Sequence, residues 1–306
     1  MKYKNLKDVF FASKFHVGKG MATYDTSLDA TVFDALADMN AIVASEVAMN
    51  AVVNSELAMN AVANSEVAMN AVVNSELAMN AVANSEVAMN AVVNSEVAMN
   101  AVGASNIAIG KLAVGLAGLN PEDYEDMNAV ANSEVAMNAV VNSELAMNAV
   151  ANSEVAMNAV ANSEVAMNAV LKSEVARFTL TNSQYLQQKR NTIVNTLERG
   201  VSKGLFVKYS AVNIDSSGKY NSTSNWACND TITPDNSIAI IKAAGPYTDG
   251  NNATTRIKHL QNPNVVVFTR SGTAKLQSVD NYVCIGGLIH EETGDSLVRI
   301  DGYEAV

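Results

Sequence analysis

Ten residues, A-V-(V/A)-N-S-E-(V/L)-A-M-N, recur with few changes from Ala41 to Val170. A unit that short cannot enclose a core of its own, so its copies must stack on one another. The unit carries a glutamate but no lysine, arginine or histidine. From Ala51 to Asn90 the forms AVVNSELAMN and AVANSEVAMN alternate, which makes the local period twenty. That alternation fits a structural pair or a simple duplication, and the sequence alone does not separate them.

Three conformations compete for the unit. A continuous helix turns ~100° per residue, so ten residues fall about 80° short of three turns. Its apolar stripe would rotate away from a coiled-coil partner within a few repeats. A β-solenoid with asparagine at the corners is the second choice. It gains from AVGASNIAIG at 101–110, where Ile109 and Gly110 replace Met and Asn, but alanine and glutamate are poor strand formers. In the third, each Asn-Ser pair restarts a two-turn helix. The asparagines Asn54, Asn64 and Asn74 then sit as N-caps beside Ser55, Ser65 and Ser75. A glutamate follows in each first turn, where negative charge suits the helix dipole. Ser55, Ala58 and Ala61 allow close approach, and Leu57 and Val62 supply burial. The third reading is favoured because restarting the helix removes the phase problem.

The expected fold class is α+β: a repeat shaft of short capped helices, 31–178, interrupted at 103–126, then an antiparallel β-rich domain. A segment at 1–30 holds Lys2, Lys4, Lys7, Lys14 and Lys19, and 179–200 reads as a polar helix ending at Gly200. Methionine and valine fall on nearly every face of the repeats, too much apolar surface for one thin chain. Several chains wrapped together, most simply a homotrimer, would cover it.

Runs such as NSEVAMNAVANSEVAMNAVVNSELAMNAV resemble the decapeptide repeats of bacteriophage tail-fibre and related virion-fibre proteins. The resemblance covers residues 41–178. It implies a trimeric fibre of the virion, assembled in the host cytoplasm, with one end held by other virion proteins and the other presented to a bacterial surface receptor. The N-terminal segment would serve attachment and 201–306 would form the tip.

Charge narrows the partners. Ser45 to Asn168 holds fourteen carboxylates and one cation, Lys111. An acidic array argues against nucleic acid, whose binding rests on Lys and Arg neutralising phosphates. No apolar run nears the roughly 20 residues that span a bilayer, so no membrane insertion is expected. Nor does the lysine-rich start read as a signal peptide. Cys228 and Cys284 are expected as free, buried thiols.

Little in the chain suggests chemistry. Every repeat glutamate has the same neighbours, which fits solvated first-turn residues rather than acid/base pairs, and Met59, Met69 and Met79 fit core filling. PEDYED (121–126) lacks the turn glycine and alternating oxygens of a calcium loop, so it reads as a solvated turn. HEETGD (290–295) matches no metal spacing, and its Thr-Gly pair reads as a hairpin turn. No catalytic residue, metal or cofactor is expected, and the protein is not expected to be an enzyme. In 201–306 six to eight short strands suggest a sandwich or barrel. Its loops carry Tyr220, Asn221, Trp226, Tyr247, Asn251 and Asn252, aromatic rings among amides, as candidate receptor contacts.

Overall fold

A computed structural model describes residues 38–215, 229–233, 237–246, 253–259, 266–272, 277–286, 288–293 and 296–306. They fall into two compact units divided between Ala159 and Val160, so the last repeats group with the C-terminal strands. In the first unit every decapeptide is a separate helix. After α1 (Met39–Val43) come α2 (Glu46–Val53), α3 (Glu56–Ala63), α4 (Glu66–Val73), α5 (Glu76–Ala83), α6 (Glu86–Val93) and α7 (Glu96–Gly103). The longer α8 (Asn106–Leu116) and a 3₁₀ turn (Pro121–Asp123) precede α9 (Met127–Ala131), α10 (Glu134–Val140) and α11 (Glu144–Ala151). The β-solenoid and the continuous coiled coil are both excluded.

Serine, not asparagine, begins each helix that follows an Asn-Ser pair. Ser55, Ser65 and Ser75 lie in extended backbone, and each hydroxyl oxygen accepts from the alanine N–H three residues on, at 3.2–3.3 Å. Asn54, Asn64 and Asn74 instead close the preceding helix as C-caps, near φ −90° and ψ 0°. Their side-chain amides donate to the carbonyls of Asn50, Asn60 and Asn70 at 2.7–2.8 Å. An asparagine still in the last helical turn cannot also adopt the extended backbone of an N-cap, which is why the role moves one residue along.

The two-residue turn sets the architecture. Between Glu96–Gly103 and Asn106–Leu116 the chain bends by 116°, so three such bends nearly close a circle. Each helix accordingly packs on the third one after it: α1 on α4, α2 on α5, α3 on α6, α4 on α7 and α5 on α8. The serine hydroxyls tie one turn to the next. Ser75 donates to the Val43 carbonyl at 2.9 Å, Ser85 to Val53 at 2.7 Å and Ser95 to Ala63 at 2.6 Å, each across 32 residues.

This coil encloses its own core within one chain. Ala58, Met59, Val62 and their counterparts at 48–52 and 78–82 are wholly buried, as are Met127, Met137 and Met147. Leu57, expected inside, is 50% exposed, because the second position of each helix points outward, as Val47 and Val67 also show.

The division falls within α12 (Glu154–Asn162), and in the second unit α13 (Glu164–Lys172) and α14 (Glu174–Thr181) lead through turns to α15 (Arg190–Ser202). Gly200 does not end that helix. Gly204, at φ +73°, does so: its N–H bonds the Val201 carbonyl and that of Leu205 the Gly200 carbonyl. Gly200 is small for another reason, since a Cβ there would lie 2.1 Å from the Phe206 ring.

Among the described residues eight strands follow: β1 (Phe206–Asp215), β2 (Asn229–Thr233), β3 (Ser237–Pro246), β4 (Ala253–His259), β5 (Val266–Gly272), β6 (Gln277–Ile285), β7 (Leu288–Thr293) and β8 (Ser296–Ala305). They pair antiparallel in two sheets, β1-β8-β3-β6 and β2-β7-β4-β5. The strands on either side of Thr293-Gly294 lie in different sheets, so no hairpin joins them. Phe268 of the second sheet packs into a cluster of Ala239, Ile241, Cys284, Val298 and Ile300 and meets Tyr282 edge-on at 5.2 Å. Cys284 is buried and unpaired, with its thiol pushed up by burial, and Cys228 lies outside the described residues. The first sheet is covered on its other face by helix. Consecutive Ile238, Ala239, Ile240 and Ile241 are therefore all buried.

Helix α15 is held on two sides. Toward the repeats, Thr196 donates to the Ala161 carbonyl at 2.7 Å, while Arg199 and Lys203 pair with Glu164 at 2.9 and 2.6 Å. Toward the sheet, Glu198 accepts from Lys208 and from the buried Tyr303 hydroxyl, both at 2.6 Å. Gln187, in the turn before α15, donates to the Val283 carbonyl at 2.6 Å and accepts from the Val283 N–H at 3.0 Å. It occupies the outer edge of β6 as a neighbouring strand would.

Ser85→Ala, which removes a cap and a tie together, should lower stability by about 1–2 kcal/mol. Asn94→Ala, at an exposed helix end, should cost only a few tenths. Equal losses in urea unfolding would return the capping role to asparagine. A pH dependence follows from α15. Lys203 first and Arg199 second hold Glu164 below its ordinary 4.5, and Lys208 and then Tyr303 do so for Glu198. Their stabilisation is complete above pH 4.5 and is lost as pH falls through the lowered values. The double variant Glu164→Gln, Glu198→Gln should melt with a shallower loss than the parent between neutral and acid pH. Parallel curves would assign the acid sensitivity to other carboxylates.

Candidate functional site

A surface that repeats every ten residues offers no unique place, so a site must be sought where the repeat is broken. On helices α2 to α7, α10 and α11 the outward residues are the same: glutamate, then valine or leucine, then asparagine. The break at 103–126 departs from the repeat at three residues that are buried there, Gly110, Lys111 and Gly115.

Gly110 takes the place of the repeat asparagine in the middle of α8. A Cβ there would lie 2.5 Å from the Met127 backbone nitrogen, so the glycine admits α9 and marks no left-handed corner. Gly115 admits the neighbouring turn, since its Cβ would fall 2.3 Å from the Ala83 carbonyl oxygen. Lys111 stands where other repeats have alanine. Although 1% exposed, its ammonium is satisfied: it donates to the Pro121 carbonyl at 2.9 Å and pairs with Glu76 at 3.2 Å. A buried cation without such partners would be strongly destabilising.

The helix then ends differently from the others. Gly118 is at φ +77°; its N–H bonds the Gly115 carbonyl, and the Leu119 N–H bonds that of Val114. The chain leaves the Asn-Ser course and folds as a 3₁₀ turn packed against α5 and α8. Asn120 caps that turn, and Asp126 caps α9 while also accepting from Asn106 at 2.5 Å. The acidic PEDYED segment is therefore a capped link between repeat blocks, with Pro121 buried and Glu122 and Asp123 exposed.

Beside this turn lies a cavity of about 420 Å³ lined by Glu46, Asn50, Glu76, Leu77, Asn80, Ala81, Asn84 and Glu122. Two of its amides depart from the repeat. Asn80 Oδ1 is buried without a hydrogen-bond partner, as is Asn168 Oδ1 at the same repeat position, whereas Asn50, Asn60, Asn70, Asn90 and Asn100 are exposed. The Asn84 side chain does not make the bond to the carbonyl four residues back that Asn54, Asn64, Asn74 and Asn94 make. Among the described residues, no three His, Cys, Asp or Glu side chains converge closely enough to hold one metal ion.

The candidate receptor contacts Tyr220, Asn221, Trp226, Tyr247, Asn251 and Asn252 all lie outside the described residues. His290, Glu291 and Glu292 fall on β7, paired through the backbone with β2 and β4. The cavity residues Glu46, Asn50, Asn80 and Asn84 could not be singled out in a repeat. The one usable signal is Lys111, alone among fourteen carboxylates. Among the described residues, no single helix is long and apolar enough to cross a membrane. Compared with models of known protein families and with curated proteins, the chain matches none.

Lys111→Met removes the donor to Pro121 and the partner of Glu76. Backbone amides at 119–124 should then exchange with deuterium faster, while those of α3 and α4 stay protected. Unchanged exchange at 119–124 would mean that Pro121 burial alone holds the turn.

Proposed function

We propose that the protein is a fibre component of a bacteriophage virion, in which the helical repeats serve as a spacer and the residues after 200 attach the particle to its host. The observation that carries this is the self-similarity of the coil. Each serine-led unit makes the same cap, and Ser75, Ser85 and Ser95 make the same tie between turns, so length can change by adding units without inventing a new surface. Such a device suits separation better than recognition. Recognition then belongs to a part that does not repeat, and the two-sheet unit is the larger such part.

Self-association remains part of the proposal, on different grounds from uncovered core residues. The methionines and Val62-type residues are already enclosed within one chain. A trimer would therefore use the outward rungs, where Val47, Leu57 and Val67 are 65%, 50% and 78% exposed. The lysine-rich residues 1–30 would hold the virion.

Phage carrying Trp226→Ala or Tyr247→Ala should assemble normally and adsorb several-fold more slowly, with the melting temperature of the purified full chain unchanged. Antibody raised to 205–306 should block adsorption of the parent phage. Normal adsorption in all three cases would leave a fibre of purely structural role, such as a head fibre or connector. Release of sugars from host capsule would instead favour a depolymerase.

A further inference from the structure

A strand at the end of a sheet presents unpaired N–H and C=O groups that another strand can join. In the first sheet β6 is such a strand, with β3 on one side only. Side chains take the place of a neighbour on its other side. The Gln187 amide donates to the Val283 carbonyl at 2.6 Å and accepts from the Val283 N–H at 3.0 Å. The Thr181 hydroxyl donates to the Arg177 carbonyl at 2.8 Å and stands 3.1 Å from that of Ile285. A primary amide carries the donor and acceptor of a peptide unit, so Gln187 supplies the two bonds that a residue of an adjoining antiparallel strand would exchange.

The rest of that edge is interrupted by a bulge. Between the pairs Ile241–Tyr282 and Ala243–Ser278, one residue of β3 faces three of β6, which bends the strand and ends regular pairing. Asn281, in the bulge, has φ +43°. Its amide accepts from Lys242 at 2.8 Å and donates to Asn191 Oδ1 at 3.2 Å, while Arg190 pairs with Asp280. The groups that reach β6 from outside the sheet thus lie between Thr181 and Asn191, where α14 gives way to α15. Within 182–189 only Leu186 is buried, so polar contacts do most to seat this stretch on the edge.

We propose that residues 181–191 are a guard over the edge of β6, withholding a docking surface for a second copy of this chain. The geometry of the edge selects that occupant. With Gln187 withdrawn, two copies of β6 can meet antiparallel about a twofold axis at Val283. Each Val283 N–H then donates to the other's carbonyl, and both lost bonds are restored in both copies at once. The bulge confines pairing to the few residues around Val283, so a longer foreign strand gains nothing beyond what the self-pair already has. This contact is separate from the outward rungs of the coil and does not depend on the fibre reading.

The test compares the full chain with Gln187→Leu, which keeps most of the bulk and removes both bonds. Sedimentation velocity and deuterium exchange at the Val283 amide are followed over a range of protein concentrations. In the parent that amide should stay protected throughout. In dilute Gln187→Leu it should exchange about tenfold faster. As concentration rises, protection should return together with a species of about twice the parent's mass. An exposed Val283 amide with the parent's mass at every concentration would overturn the proposal, because the open edge would not pair. So would continued protection in the dilute variant, since Gln187 would not be what closes the edge. Growth in mass without renewed protection would place the contact elsewhere and overturn it too. If Gln187→Leu lacks a cooperative melting transition, Gln187→Asn, which keeps the amide but falls a methylene short of Val283, is judged by the same measurements.

Discussion

The repeats depend on one hydroxyl used in two directions. In Ser75, Ser85 and Ser95 the side-chain oxygen accepts from the N–H of its own helix and donates to a carbonyl one turn of the coil away. The first bond satisfies an orphan donor at a helix start; the second satisfies an orphan acceptor at a helix end. A two-turn helix has little else to stabilise it, because it is far below the length at which isolated helices persist. Serine is short enough to do both without leaving the extended backbone of the cap. Asparagine, one residue earlier, does the complementary task of closing the previous helix on itself. The unit length follows: eight helical residues bring the chain across one side of the coil, and two turn it.

Much of this is legible in the sequence and some is not, for physical reasons. Helix propensity and the Asn-Ser punctuation indicate short helices, and the phase argument against a coiled coil needs only the number ten. The exposed glutamates and buried methionines follow from chemistry alone. The number of helices per turn does not, since it depends on a bend angle that no propensity encodes. Without that angle, Leu57 reads as an inside residue and several chains are needed to cover the core. Glycines mislead in both directions. Gly110 suggests a left-handed corner and Gly200 a helix stop, yet both are small because another part of the chain lies against them. Close approach across tens of residues cannot be read locally. The proposed receptor contacts of the C-terminal loops rest on sequence composition alone.

The bend also gives meaning to the twenty-residue alternation. Helices three apart are stacked, and three is odd, so an alternation between neighbours becomes an alternation up each column. In the helices that pack on one another, Val53 corresponds to Ala83, Ala63 to Val93 and Val73 to Gly103. A column of valines alone would be overfilled and a column of alanines would leave gaps; either costs stability in a close-packed core. Val43 with Val73, and Ala83 with Ala113, are exceptions. A recent duplication would produce the same pattern by accident, but the packing supplies a reason for it to be kept.

A self-similar coil must also be stopped, and α15 shows how. The Ala161 carbonyl, at the position whose counterparts accept from serines of the following turn, here accepts from Thr196 of a helix outside the repeat. The same helix brings Arg199 and Lys203 to Glu164, so its positive charge meets an acidic repeat. Its other face seats Phe206 at Gly200 and binds Lys208 and Tyr303 through Glu198. Further repeats therefore find their stacking partner already taken by a helix that is itself committed to a sheet. The termination and the attachment of the strands are one structural event. This explains why the compact unit that holds the sheets also holds the last repeats.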